Sequence, residues 1–171
     1  MKFFSRSREE RMPCSVADKA LDAVSGGLTA VIAILSVVFW QVSEDAMPIH
    51  FNAAGQADAW GEPFHYLIIG GISVLIWMIG MYGARYPQYV NLPVAIRPGR
   101  ATVQNRMKCR YLRIILIVLS VLFVCLLLKC RAVQTDAAWE TVASSGFFAS
   151  LVAVLLLTVA ATVHVNRIGR R

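Results

Sequence analysis

Charge is scarce in this chain: only 16% of its 171 residues are Asp, Glu, Lys or Arg, against 57% hydrophobic ones. Soluble domains carry about a quarter charged residues, so a water-covered globular surface is excluded as the main architecture. Four apolar stretches, Leu21 to Val42, His65 to Ala84, Leu112 to Leu128 and Gly146 to Val165, hold no charged residue at their centres. Intramembrane charges mark proton relays, ion pathways and voltage sensors, and their absence argues against a transporter, channel or pump. The 4 cysteines form no Cys-x-x-Cys pair, which removes the usual thiol-redox and zinc-ribbon spacings. No small-x-small cleavage pattern follows Trp40. The first apolar stretch also exceeds the ~7–15 residues of a signal-peptide core, so it reads as a retained anchor.

What is present fits a bilayer. A helix needs about 20 mostly apolar residues to cross a ~30 Å hydrocarbon core, and the four stretches approach that length. The expected fold is therefore all-α, an integral membrane bundle of four transmembrane helices over residues 21–165, with basic tails at 1–20 and 166–171. The connections and their flanks leave no room for a soluble domain of ordinary size.

The net charge of +7 is unevenly placed. Lys2, Arg6, Arg8, Arg11 and Lys19 precede the first stretch, and Arg167, Arg170 and Arg171 follow the last. The second connection carries Arg85, Arg97, Arg100, Arg106, Lys108, Arg110 and Arg113 with no acid, whereas residues 43–64 hold Glu44, Asp45, Asp58 and Glu62 with no Lys or Arg. Loops rich in Lys and Arg stay cytoplasmic, so both termini are expected inside (N-in/C-in) and the acidic connection outside. Cys130 is then the one cysteine expected to meet an oxidising compartment, and no internal disulfide framework is expected. Lys129 and Arg131, at the outer end of the third stretch, run against this rule and are expected to snorkel to headgroups.

Local signals refine the layout. Ser15 is placed to cap a helix from Val16, with Asp18 in its first turn. Small residues suit close helix contacts: Gly26, Gly27, Ala30 and Ala33 in the first stretch, Gly70, Gly71, Ser73, Gly80, Gly83 and Ala84 in the second, and Ser145, Ala149 and Ala153 in the fourth. Trp40, Tyr82 and Tyr86 mark interfaces.

Chemistry concentrates in Met47 to Glu62, a short polar segment between the first two stretches, where Pro48, Gly55 and Gly61 turn the backbone. It presents His50, Asn52, Asp58 and Trp60 together. Recognition of a peptide, a protein or the outer leaflet is one reading. A second is a divalent metal on His50 and Asp58, helped by Glu62 or His65, since imidazole and carboxylate suit zinc and related ions. General acid–base chemistry by the same pair is a third, although no nucleophile or oxyanion site accompanies it. The plainest reading makes Trp60 an interfacial anchor and the glycines turn formers.

The run Pro48-Ile-His50-Phe-Asn52-Ala-Ala-Gly55-Gln-Ala-Asp58-Ala-Trp60-Gly61 resembles the signature of the bacterial membrane domain of unknown function 1648. The stretch Tyr86-Pro87-Gln-Tyr-Val-Asn91-Leu-Pro93-Val94 is similar to the segment after the second helix in stand-alone members. The resemblance implies a bacterial cytoplasmic (inner) membrane protein. Some larger relatives are similar to Sdp-type immunity proteins, which resist a secreted killing peptide and signal by holding a repressor at the membrane. Immunity or envelope signalling is thus an implied role. Family members often carry a basic residue soon after the Trp-Gly pair, where this chain has Glu62 and Pro63.

In the inner connection, Pro98 and Gly99 precede an expected helix from Ala101 that runs into the third stretch. Its cluster of Arg97, Arg100, Arg106, Lys108, Arg110 and Arg113 is expected to meet anionic lipid headgroups or a cytoplasmic partner. Nucleic acid is the poorest partner, because these groups are tied to an anionic membrane surface.

Overall fold

A computed structural model describes residues 11–90 and 94–170. Asn91 and Pro93 of the second motif, and Lys2, Arg6, Arg8 and Arg171 of the tails, lie outside the described residues. In chain order come α1 (Val16–Val42), β1 (Met47–Phe51), β2 (Ala57–Gly61), α2 (His65–Gly83), α3 (Ala101–Gln134) and α4 (Glu140–Arg170). Single 3-10 turns at Pro87–Tyr89 and Pro98–Arg100 lie between α2 and α3.

All four helices are long and apolar enough to cross a membrane. The chain is thus mostly helical as expected, except that residues 47–61 form a two-stranded antiparallel hairpin in place of the expected loop. At ~1.5 Å per residue, the 34 residues of α3 reach about 51 Å. That is longer than a ~30 Å hydrocarbon core, so α3 carries its ends well past the apolar segment.

Helix α1 begins at a full capping box, in which the Ser15 hydroxyl accepts from the Asp18 amide at 3.2 Å and the Asp18 carboxylate accepts from the Ser15 amide at 2.9 Å. These bonds satisfy two amides that the first turn leaves unpaired. From there α1 buries Ser25, Thr29, Ile32 and Ser36, while Val24, Val31, Ile34, Val37 and Val38 face outward. The pattern inverts that of a soluble helix. Small and polar residues face the neighbouring helices and branched apolar ones face the surroundings, the arrangement favoured where lipid is the solvent.

Close approach depends on particular glycines. A Cβ on Gly70 would lie 2.6 Å from the Ser36 hydroxyl oxygen, and one on Gly80 2.5 Å from Leu116, so α2 nearly touches α1 and α3 at these points. Gly26 faces the Trp77 ring, whose indole N–H donates to Ser25 Oγ at 3.1 Å. Gly27 and Gly71 face open space, against the expectation of contact. Likewise Ser145 and Ala149 are exposed, and α4 instead packs on α3 through Gly146 against Cys125 and Gly169 against Gln104. The correction is one of phase: the seam lies one position along from the small-residue repeat.

At the end of the bundle where α1 begins, Arg113 Nε donates to Asp22 at 2.6 Å and Arg110 Nε to Asp18 at 3.1 Å, joining α3 to α1. The buried Lys108 donates to the Pro87 carbonyl at 3.2 Å. Gln104 fastens the connection between α2 and α3, accepting from the Arg97 amide at 3.0 Å and donating to the Ala95 carbonyl at 3.1 Å.

Candidate functional site

The hairpin is held on the bundle from below and shaped from within. Met47 belongs to a buried cluster with Ile32, Tyr66, Leu127 and Cys130, so the first residue of β1 plugs the junction of α1, α2 and α3. Beside it, Gln134 at the end of α3 ties three segments together. Its Oε1 accepts from Tyr66 Oη at 3.1 Å, Ser43 Oγ at 3.0 Å and Arg131 Nη1 at 2.9 Å, and its Nε2 donates to the Asp45 carbonyl at 2.6 Å. Arg131 also donates to Ser43 Oγ at 2.8 Å. The expected snorkelling does not hold for Lys129, which is 1% exposed beneath the hairpin, while Arg131 is used in this knot.

Within the hairpin, Asn52 builds the turn. Its side-chain oxygen accepts from the amides of Ala54 at 2.9 Å and Gln56 at 3.0 Å, while its backbone pairs with Gly55 and Gln56. Gly55 has φ +79°, a left-handed conformation that suits glycine. Asn52 and Gly55 thus both serve the turn.

The strands pair Met47 with Gly61, Pro48 with Trp60, His50 with Ala59 and Phe51 with Ala57, which leaves Ile49 and Asp58 as extra residues. Such bulges re-aim side chains. Here Asp58 comes within 2.5 Å of His50 Nδ1. Because a carboxylate accepts, His50 Nδ1 is the donor of this bond. His65 does the same against the Glu62 carbonyl at 2.8 Å. A Cβ on Gly61 would lie 2.9 Å from Ile49 and 3.1 Å from His65, so this position must stay small for β2 to run into α2.

The sequence motif is thereby split by role. His50 and Asp58 meet in an exposed pair, Trp60 is 50% exposed and Ile49 is 47% exposed on the same hairpin, and Pro48, Asn52, Gly55 and Gly61 shape or anchor it. Among the described residues, no three of His, Cys, Asp and Glu converge as a metal-binding group. The second motif lies at the opposite end of α2, where Tyr82, Tyr86 and Tyr89 pack their rings together and Pro87 is buried. Of the basic cluster, Lys108 and Arg113 are buried and Arg110 is ion-paired, while Arg97, Arg100 and Arg106 are exposed.

A feature missed from the sequence lies under β1. A cavity of about 440 Å³ opens there between α2, α3 and α4, with Lys129, His50, His65 and Asn52 as its polar lining. Only the hint of basic residues on the wrong side of the third stretch pointed to it.

Residues 27–74, from within α1 through the hairpin into α2, match the family described as Domain of unknown function (DUF1648). No curated protein and no solved structure matches the chain.

Proposed function

From a chain that belongs, through residues 27–74, to the DUF1648 family, we propose a recognition role for the hairpin at the outer face of the bacterial cytoplasmic membrane. Peptide-toxin immunity or envelope signalling is the concrete form of that role. The observation that carries it is the preorganised hairpin. Its turn is closed by Asn52, its base is tied down by Met47 and Gln134, and it displays Trp60, Ile49 and the His50–Asp58 pair. A partner meeting a rigid aromatic and polar surface loses less ordering entropy on binding, and exposed aromatics are common anchors of such contacts. The N-in/C-in orientation belongs to this reading, as does contact of Arg97, Arg100 and Arg106 with anionic headgroups.

The test replaces Trp60 by a photo-crosslinking amino acid in the native membrane, with D58N as the control. A discrete adduct that D58N abolishes supports recognition. Labelling restricted to lipid counts against it. For the immunity form, sensitivity to a secreted killing peptide that is unchanged by loss of the protein removes that role.

The His50–Asp58 contact also favours a second reading, in which the oriented imidazole serves a divalent metal or a proton transfer. A carboxylate on one ring nitrogen is the usual support of a metal-ligating histidine. Zinc binding to the purified chain that H50A leaves unchanged would remove the metal form of this reading.

A further inference from the structure

Lys129 is the odd residue of the bundle. Its Nζ is one of two buried side-chain atoms with no hydrogen-bond partner among the described residues, the other being the Ser36 hydroxyl. A serine hydroxyl is neutral; an ammonium stripped of water is a far greater electrostatic cost unless something pairs with it. Lys129 takes part in none of the ion pairs among the described residues, and Glu140 at the start of α4 acts on it only as a favourable charge in the vicinity. Its nearest companions are aromatic faces. Nζ lies 4.0 Å from the Phe51 ring centre, 5.1 Å from Phe148 and 5.7 Å from Phe147. Rings attract a cation but do not replace its hydration.

Lys129 is among the residues lining the cavity under β1, whose volume of about 440 Å³ falls in the range of small-molecule sites, roughly 300–1,000 Å³. The other polar side chains there are His50, His65 and Asn52, and the rest of the wall is apolar. Both α2 and α4 pack against α3 without extensive contact with each other. The gap between them is flanked by Ile68 and Phe148, which line the cavity and are exposed at its lip. One buried cation beside a largely apolar cavity is chemically complementary to one kind of molecule.

We infer that this cavity binds an amphiphilic anion, a hydrocarbon chain ending in a carboxylate or phosphate. The head group pairs with Lys129 below the hairpin, and the chain leaves between α2 and α4 toward the bilayer. Asp58 and Trp60 do not line the cavity, whereas Ile49 and His50 do; Lys129 and Ile68, the residues altered below, lie outside the displayed set.

The experiment uses the full chain purified in an uncharged detergent. Oleate, oleoyl-lysophosphatidylglycerol and zwitterionic oleoyl-lysophosphatidylcholine are titrated, with binding read by native mass spectrometry and thermal stability measured alongside. At least one anion is expected to bind saturably at one per chain and to raise the melting temperature; which of the two binds tighter separates a fatty-acid source from a phospholipid one. K129M should weaken anion binding by about tenfold or more, as loss of one partner of a buried charge pair does, while K129R retains most of it. The zwitterionic probe should not distinguish wild type from K129M. I68W, which narrows the lip and leaves Lys129 in place, should also weaken the anions and covers the case of a misfolded K129M. Failure of folded wild type to take up either anion overturns the inference, as does anion binding that neither K129M nor I68W reduces.

Discussion

Arg113 Nε lies 2.6 Å from the Asp22 carboxylate, joining α3 to α1, and the Arg113 side chain is 3% exposed. The same guanidinium donates to the Cys109 carbonyl and to Cys14 Sγ, each at 3.3 Å. Removing one partner of a buried pair leaves the other charge without compensation, at a cost of about 3–5 kcal/mol. D22A is therefore expected to lower the melting temperature of the detergent-solubilised chain strongly. The double variant D22A/R113M should recover much of that loss. Equal melting of wild type and D22A would show that the pair carries no stability.

Adjacent glycines in α2 should respond in opposite ways. G70A places a methyl 2.6 Å from Ser36 Oγ and 2.7 Å from its Cβ, and overpacking of this kind costs about 1–3 kcal/mol. At Gly71 nothing lies within 4 Å, so G71A should be neutral or gain up to about 1 kcal/mol from helix propensity. Thermal melts of the two variants decide the matter, and a reversed order would place the α1–α2 seam on the wrong face.

Asn52 should govern the hairpin without governing the bundle. N52A removes two hydrogen bonds to Ala54 and Gln56, each with a net worth of about 0.5–1.5 kcal/mol. Amide exchange in residues 50–58 is expected to quicken several-fold, while exchange in the four helices stays unchanged. Uniform loss of protection throughout the chain would mean that the turn is needed for the bundle itself.

Orientation can be read chemically. In a variant lacking the native cysteines, a cysteine at Ala53, an exposed turn position, should react with a membrane-impermeant thiol reagent in intact spheroplasts. Reaction only after lysis would invert the proposed topology and with it the outer placement of the hairpin.

The hairpin shows how far residue order carries and where it stops. Asn52, Gly55 and the flanking prolines and glycines announce a turn, because their chemistry acts over a few positions. The strands are not legible in the same way: β1 and β2 have only 5 residues each, too short and too irregular for a clear alternation. The two bulges, which bring Asp58 to His50, depend on register between strands. A His–Asp pair that suggests metal chemistry in the sequence is first of all a bond across the hairpin.

The basic residues make the same point. Their uneven placement along the chain is a one-dimensional quantity, sufficient for the topology expected here. Whether a given arginine faces headgroups, a carboxylate or a phenyl ring depends on which helices meet. Arg110 and Arg113 became parts of the α1–α3 contact and Lys129 part of the wall of a cavity.

By itself the sequence determined the class of protein, the existence of four long apolar helices, the cap at Ser15 and the position of the polar turn, since hydropathy and capping act between near neighbours in the chain. The tertiary structure decided which glycines are contact points, which side of α4 is buried and that Lys129 lies among three phenylalanines with no hydrogen-bond partner among the described residues. Those outcomes required α2, α3, α4 and β1, distant in sequence, to converge, and no local pattern records the rotation of one helix against another.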